Sequence, residues 1–292
     1  MATGSKLNTI TPPAEEFFDL SYADEPAELY HLYGEIDDDE LKAAWFHTSK
    51  KLVTGFASYE LSATSLDVSL IDLLSKKTFL TSPFGETIIT SATDRYTILP
   101  REISEDQQSA FAKNLLDFDA HTEVLCSYAL VTIPANIVMV IGRQLHDAIH
   151  QKLVAPRILP AMAPLLERGA LLLKHRTNQS LVMLHIGANH VHLALFDKGM
   201  PQLCNAYYQC SKEDVAYYLL YAAELCNIDP ENAPLFVSGR ASVGDETWRL
   251  LSTYWKNIYP SEPAEGIQIS EKLGTYPTTK FEYLTNHLLC AS

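Results

Sequence analysis

Histidines and carboxylates supply the chemistry that spacing alone can organise in this chain. His185, His190 and His192 flank Gly187-Ala188-Asn189. If Ala188-Asn189 is a two-residue hairpin loop, Gly187 faces His190 and His185 faces His192, and side chains two apart share one sheet face. Three neutral imidazoles so placed can hold a transition metal, and hydrogen-bonded or solvated histidines are the plainer alternative. His146-Asp147-Ala148-Ile149-His150 has the spacing of the H-E-x-x-H zinc motif. Its Asp is one methylene shorter than the usual base and no third ligand is spaced for it, so these read as edge residues of an amphipathic helix. The acidic run Asp37-Asp38-Asp39-Glu40 reads as a solvated turn, with cation binding as the rarer use. Gly239 and Gly244 have Walker A spacing, but Asp245-Glu246 stand where a phosphate-gripping Lys and a Ser are needed, which reverses the electrostatics. No G-x-S-x-G is present and no cysteine has a nucleophile context, so no catalytic residue is assigned.

The chain that must position these groups has 292 residues, room for about two domains. With 47% hydrophobic and 20% charged residues it has the profile of a folded globular protein. It carries 22 basic and 36 acidic residues, a net charge of −14, which disfavours nucleic acid and anionic membrane as partners. The longest nearly uncharged stretch, residues 128–142, contains Pro134 and is shorter than the ~20 residues of a membrane helix. The start, Met1-Ala2-Thr3-Gly4-Ser5-Lys6, lacks the apolar run of a signal peptide. Five cysteines without CxxC spacing read as reduced thiols. A cytoplasmic protein is expected.

Residues 1–16 read as a loose arm ended by Pro12-Pro13. Strand-like patterns follow over 17–23, 29–36, 41–47 and 52–59. A helix over 66–74, strands over 87–92 and 96–99, and a helix opened by a Ser104/Gln107 capping box come next, the last with Phe111, Leu115 and Phe118 as its buried stripe. A strand over 124–133 and helices over 136–153 and 160–173 complete the first half. The second half repeats the order: strands over 180–186, 191–196 and 203–208, a helix capped by Ser211, a short strand over 235–237, and a helix carrying Trp248, Leu251 and Trp255. Tyr207, Tyr208, Tyr217, Tyr218 and Tyr221 fit a helix-on-sheet core. Three strands, helix, strand, helix, given twice, suggests a structural duplication. No flexible linker separates Leu173 from Ser180, so rigidly docked halves are expected.

That layout is similar to the actin-like ATPase fold of sugar kinases and heat-shock ATPases, an α/β architecture of two ribonuclease-H-like subdomains in tandem, here 17–175 and 176–292. His185-Ile186-Gly187-Ala188-Asn189-His190 resembles the superfamily's phosphate loop, and Ser238-Gly239-Arg240-Ala241 its adenosine loop with one glycine kept. Over about residues 17 to 290 the chain more closely resembles an uncharacterised bacterial domain-of-unknown-function family with this fold. Tyr96-Thr97-Ile98-Leu99-Pro100, Cys204-Asn205-Ala206-Tyr207, Glu213 to Tyr218 and Ser238-Gly239 carry that likeness.

The resemblance implies a cofactor site at His185, Gly187, Ala188, Asn189 and His190, with Ser238, Gly239 and Ala241 on the adenosine side. The residues themselves argue that it has decayed. His185 replaces the carboxylate that positions Mg²⁺ through water. The first-half loop, either Asp24-Glu25-Pro26 or Asp37-Asp38-Asp39, is acidic and lacks glycine. No cofactor is therefore expected beyond weak nucleotide binding. The expected function is a catalytically inactive scaffold for a protein partner or a homodimer; the alternative is an ATPase or kinase with a divergent phosphate loop.

Overall fold

The computed structural model describes residues 15–174 and 180–291. Most of the expected N-terminal arm, and residues 175–179 of the connection between the halves, lie outside the described residues.

The first half opens with strands β1 (Glu15–Phe18), β2 (Tyr30–Asp37), β3 (Glu40–His47) and β4 (Leu52–Glu60). Helix α1 (Leu66–Lys76) and strand β5 (Glu86–Ser91) follow. The chain then makes an excursion through β6 (Tyr96–Pro100), α2 (Glu105–Leu115), β7 (Glu123–Ala129) and β8 (Ala135–Gly142). It returns through α3 (Arg143–Lys152), β9 (Arg157–Pro160) and α4 (Met162–Lys174). The second half is β10 (Leu181–Ile186), β11 (His190–Asp197), β12 (Met200–Tyr208), α5 (Lys212–Leu225), β13 (Leu235–Gly239), α6 (Glu246–Tyr254) and β14 (Ile258–Pro260). A short strand β15 (Gln268–Ile269) and helix α7 (Thr278–Thr285) close the chain.

The duplication is visible in the sheets. The first runs β4-β3-β2-β5-β9 with β1 outside β4; the second runs β12-β11-β10-β13-β14. Leaving β1 aside, each half thus sets its first three strands antiparallel and adds two parallel strands beside the first of them. A parallel neighbour requires a crossover helix, which explains why helices follow the third strand in both halves.

Two local expectations are corrected. Residues 136–153 are strand β8 and then helix α3, not one helix. Ile137, Val138, Met139, Val140 and Ile141 are all buried, because β8 is covered on both faces, Val138 by Ala112 of α2 and Ile137 by the main core. An apolar run buried on both faces carries no period that separates strand from helix. In α2 the exposed face holds Phe111 and Leu115, 48% and 62% exposed, while Gln108 and Ala112 face inward. The small sheet beneath takes Ala112 against Leu99 and Val138, and the Gln108 amide donates to the Ile103 carbonyl at 2.8 Å.

One apolar core is continuous across both halves. It includes Tyr33 and Phe56 from the first sheet, Met183 and Phe196 from the second, and Phe281 and Leu284 from α7. Helix α4 lies under β10 and β11, with Gly169 against the Phe196 ring, where a Cβ would come within 2.4 Å. After β14 the chain crosses back. Strand β15 pairs with β4, and α7 packs against β2, β3 and β13. Strand β15 thus extends the first-half sheet, and α7 packs against strands of both halves.

Candidate functional site

Two hairpin tips meet at the centre of the molecule. In the second half, His185 is paired with His192 and Ile186 with Val191, and the Gly187 amide donates to the His190 carbonyl at 2.8 Å. The loop is thus Ala188-Asn189, and His185 and His192 share a face. In the first half, Asp37 pairs with Glu40 across Asp38-Asp39. The ambiguous first-half turn is the 37–39 one; Asp24-Glu25-Pro26 precedes a short 3-10 turn outside the sheet.

The Asp37 carboxylate enters the β10–β11 loop. One oxygen accepts the backbone N–H groups of Asn189 at 2.9 Å and His190 at 3.2 Å; the other meets His190 Nδ1 at 2.7 Å. Gly187 is what leaves room for it, since a Cβ there would sit 2.3 Å from that first oxygen. Asp37 is 1% exposed. Burial pushes its carboxyl up, but the His190 hydrogen bond and charge and the Asn189 amide outweigh burial and hold it below the usual range. His190 moves the opposite way: burial lowers it, and Asp37 outweighs burial and raises it.

Beside this contact runs a second polar chain. His185 Nε2 lies 2.7 Å from Glu35 and its Nδ1 lies 2.9 Å from the Ser238 hydroxyl. The Lys42 ammonium donates to the other Glu35 oxygen at 3.0 Å and lies 3.7 Å from Glu40. Glu40 also accepts from Ser58 at 2.5 Å and Arg240 at 3.1 Å and forms an ion pair with Lys280 at 3.0 Å. Glu35, Lys42 and His185 are each buried to within 1%. Burial would neutralise Glu35, yet His185 and Lys42 outweigh it and hold the carboxyl well below its ordinary value. For Lys42, burial is outweighed by Glu35 and Glu40, and its pKa is raised. Tyr283 of α7 stacks on His185, ring centres 3.9 Å apart, and donates its hydroxyl to the Ala161 carbonyl.

The adenosine-side residues are occupied in the same way. Ser238 is tied to His185, and Ala241 is buried in the second-half core. Gly239 has φ +93, and a Cβ there would come within 2.0 Å of the Ile186 carbonyl oxygen, so only glycine fits.

His192 stands between the two histidine–carboxylate pairs, its ring centre 6.3 Å from His185 and 6.2 Å from His190. Neither of its nitrogens has a partner. Burial, then the neighbouring His185 and His190, pushes its pKa down to about 3. As metal ligands the three histidines are poorly placed, because His185 uses both nitrogens and His190 uses Nδ1 on protein partners. Among the described residues, Asp37, Asp38 and His190 bring one ligand atom each within 4.8 Å of one another. Yet two amide N–H groups already point at Asp37, a donor set suited to an anion and not to a cation. His146 and His150 lie at the edge of α3, ring centres 4.4 Å apart, with His146 on Asp147.

The tyrosines divide. Tyr207 and Tyr218 stack at 3.9 Å, whereas Tyr208, Tyr217 and Tyr221 are 48%, 62% and 48% exposed, which corrects the expectation that all five are core. Tyr217 and Tyr221, one turn apart, lie on the outer face of α5, which the sheet does not cover.

Glu35, Lys42, Lys280 and Tyr283 were not singled out from the sequence, and Glu40 and Arg240 stood there only as part of an acidic turn and of the adenosine-type loop. The available signal was charge inside otherwise apolar strands: Glu35 in β2, and Glu40 and Lys42 in β3, with Glu35 paired to Lys42 across the hairpin.

Residues 22–258 match the family model described as protein of unknown function, DUF3822. No curated protein matches the chain. Among solved structures, a Bacteroides thetaiotaomicron protein described as having an actin-like ATPase fold and unknown function is similar. Its TM-score is 0.68 at 18% identity, over 80% of this chain and 91% of that one. The type IV pilus biogenesis complex PilM–PilN contains a chain that matches with TM-score 0.59 and 13% identity, over 89% of this chain and 97% of that one. These likenesses establish the fold. No described helix is long and apolar enough to cross a membrane.

Proposed function

Because this chain belongs to the DUF3822 family and has an actin-like ATPase fold, we propose that it no longer turns over nucleotide and works by binding a protein partner or a second copy of itself. One observation carries the reading: the Asp37 carboxylate takes the amide N–H groups of the β10–β11 loop, the groups through which a phosphate would be held. A triphosphate approaching that loop meets a buried carboxylate at contact range, with Asp38 and Asp39 behind it. At the position of the Mg²⁺-orienting carboxylate, His185 is tied up by Glu35 and Ser238. On the adenosine side, Gly239 is closed against Ile186.

A binding role suits what remains outside. Tyr217, Tyr221 and Leu225 recur every four residues along the exposed face of α5, and exposed tyrosines are well suited to protein contacts. A fold neighbour described as part of the PilM–PilN complex lends the idea a precedent in this fold. The absence of disulfides among the five cysteines accords with a cytoplasmic setting.

The test is a thermal-shift panel of nucleotides with Mg²⁺, followed by calorimetry. A ligand at a hundredfold its Kd adds about 2.7 kcal/mol of stability, so micromolar binding could not be missed. No saturable binding is expected. Micromolar Mg·ATP affinity, or turnover that vanishes in Gly187→Val, would return the protein to the ATPases or kinases. Sedimentation equilibrium separates the two binding modes, with a dimer at micromolar concentration indicating self-association and a monomer a different partner.

A further inference from the structure

We propose that Asp37 is a built-in ligand of the β10–β11 loop, and that removing its carboxylate uncovers a binding site for a tetrahedral oxyanion such as phosphate. The inference deepens the reading above and rests on it. Three donors from one loop, the Asn189 and His190 amides and the His190 ring, are turned on one carboxylate that arrives from the other half of the molecule. Successive backbone N–H groups aimed at one point form an anion-binding concavity. Here the chain supplies the anion itself.

The geometry on both sides brings an anionic oxygen acceptor to this position. Asp37 is the last residue of β2, and its partner across the hairpin is Glu40, at the start of β3. Asp38 in the turn has φ +35, unusual for a residue with a side chain, and this tight turn lets the tip reach the opposite loop. On the receiving side, Gly187 has no side chain to collide with the incoming oxygen. Cutting Asp37 back to a methyl group leaves the donors in place with a space the size of a carboxylate between them. The donors then need an acceptor, because buried N–H groups without partners are costly. A small oxyanion from solution satisfies all three.

The experiment is titration of inorganic phosphate into Asp37→Ala and wild-type protein by calorimetry and thermal shift, with ionic strength held constant by chloride. Wild-type protein should show no saturable binding. Asp37→Ala should bind phosphate at least about tenfold more tightly than the wild-type limit and should gain melting temperature from phosphate but not from chloride. Acetate, a free carboxylate, should restore part of the lost stability. Mg·ATP in parallel distinguishes the sources: binding there means the site accepts the phosphate of a nucleotide, and binding of phosphate alone means it accepts only the free ion. Folded Asp37→Ala that responds to phosphate as wild-type does would overturn the proposal. If Asp37→Ala does not fold even with phosphate present, Asp37→Ser, which also vacates the carboxylate's space, decides: a melting gain from phosphate beyond that of wild type supports the proposal, and none overturns it. Micromolar Mg·ATP binding by wild-type protein would instead overturn the proposed loss of nucleotide binding, so the two failures are distinguishable.

Discussion

The two hairpin tips that face each other across the centre stand on the same strand order and carry opposite chemistry. The β10–β11 tip presents backbone amides over Gly187, with His190 beside them; the β2–β3 tip presents Asp37, with Glu35 and Glu40 on the strands leading to and from it. In a duplicated fold both tips begin as equivalent loops around a cleft. Here one has become the acceptor and the other the donor of the same contact. The difference teaches that two tips of the same topology can be joined by a few side chains of opposite hydrogen-bonding character. Four changes would break or sharpen that comparison.

The largest effect is expected from Lys42→Met. Lys42 is 1% exposed and is held by Glu35 and Glu40. Removing one partner of a buried ionic cluster strands the others and costs about 3–5 kcal/mol. Urea denaturation measures it, and a loss under about 1 kcal/mol would mean that His185, Arg240 and Lys280 already satisfy the carboxylates.

Gly187→Ala should come next. The new Cβ would lie 2.3 Å from the Asp37 oxygen and 2.9 Å from the His190 carbonyl, so the tips must separate. Overpacking of this kind costs about 1–3 kcal/mol. Adding it to Asp37→Ala should cost less than it does alone, because the clashing oxygen is gone; full additivity would show that the tips do not touch in solution.

Third is a dependence on pH. His192, at about 3, and His287, pushed by burial to about 4, are neutral when folded and ordinary histidines when unfolded. Between those values and pH 6.5 the unfolded chain binds more protons, so stability is full above 6.5 and falls on acidification. Each group contributes about 1.4 kcal/mol per pH unit. His192→Leu should remove one group's share of that slope, read from denaturation at pH 7, 6 and 5. An unchanged slope would place His192 outside the buried network. His190 acts with the opposite sign: its raised pKa gives stability that is present below 6.5 and lost as pH rises through the folded value.

The smallest effect belongs to Ser238→Ala. It removes the hydroxyl 2.9 Å from His185 Nδ1 and should cost about 1 kcal/mol. His185 remains held by Glu35 and by the Tyr283 ring. A loss near that of Lys42→Met would show that Ser238 sets the orientation of the whole pair.

Much of the fold was legible in the chain. Alternating apolar residues, the Ser104/Gln107 and Ser211 caps and the two-residue loop at Ala188-Asn189 are local signals, and the structure has them where they were read. The candidate loops at 185–190 and 238–241 were read from their resemblance to the phosphate and adenosine loops of the actin-like ATPases, and their role belongs to the proposed function. Legibility failed where burial comes from distant partners. Strand β8 looked helical because its apolar run is covered on both faces, and Phe111 and Leu115 looked internal because a helix period does not say how wide the surface beneath it is.

The sequence by itself determined most of the elements, their repeated order and the acidic character of the first-half turn, because each depends on neighbours within one or two turns of chain. Only the tertiary structure decided what the acid was for. Asp37 and Asn189 are 152 positions apart, Glu35 and His185 150, and Arg240 and Glu40 200. No pattern in the chain announces a partner at that separation, since electrostatic pairing depends on distance in space. Burial then turns an ordinary acidic turn into the group that fills the opposite loop.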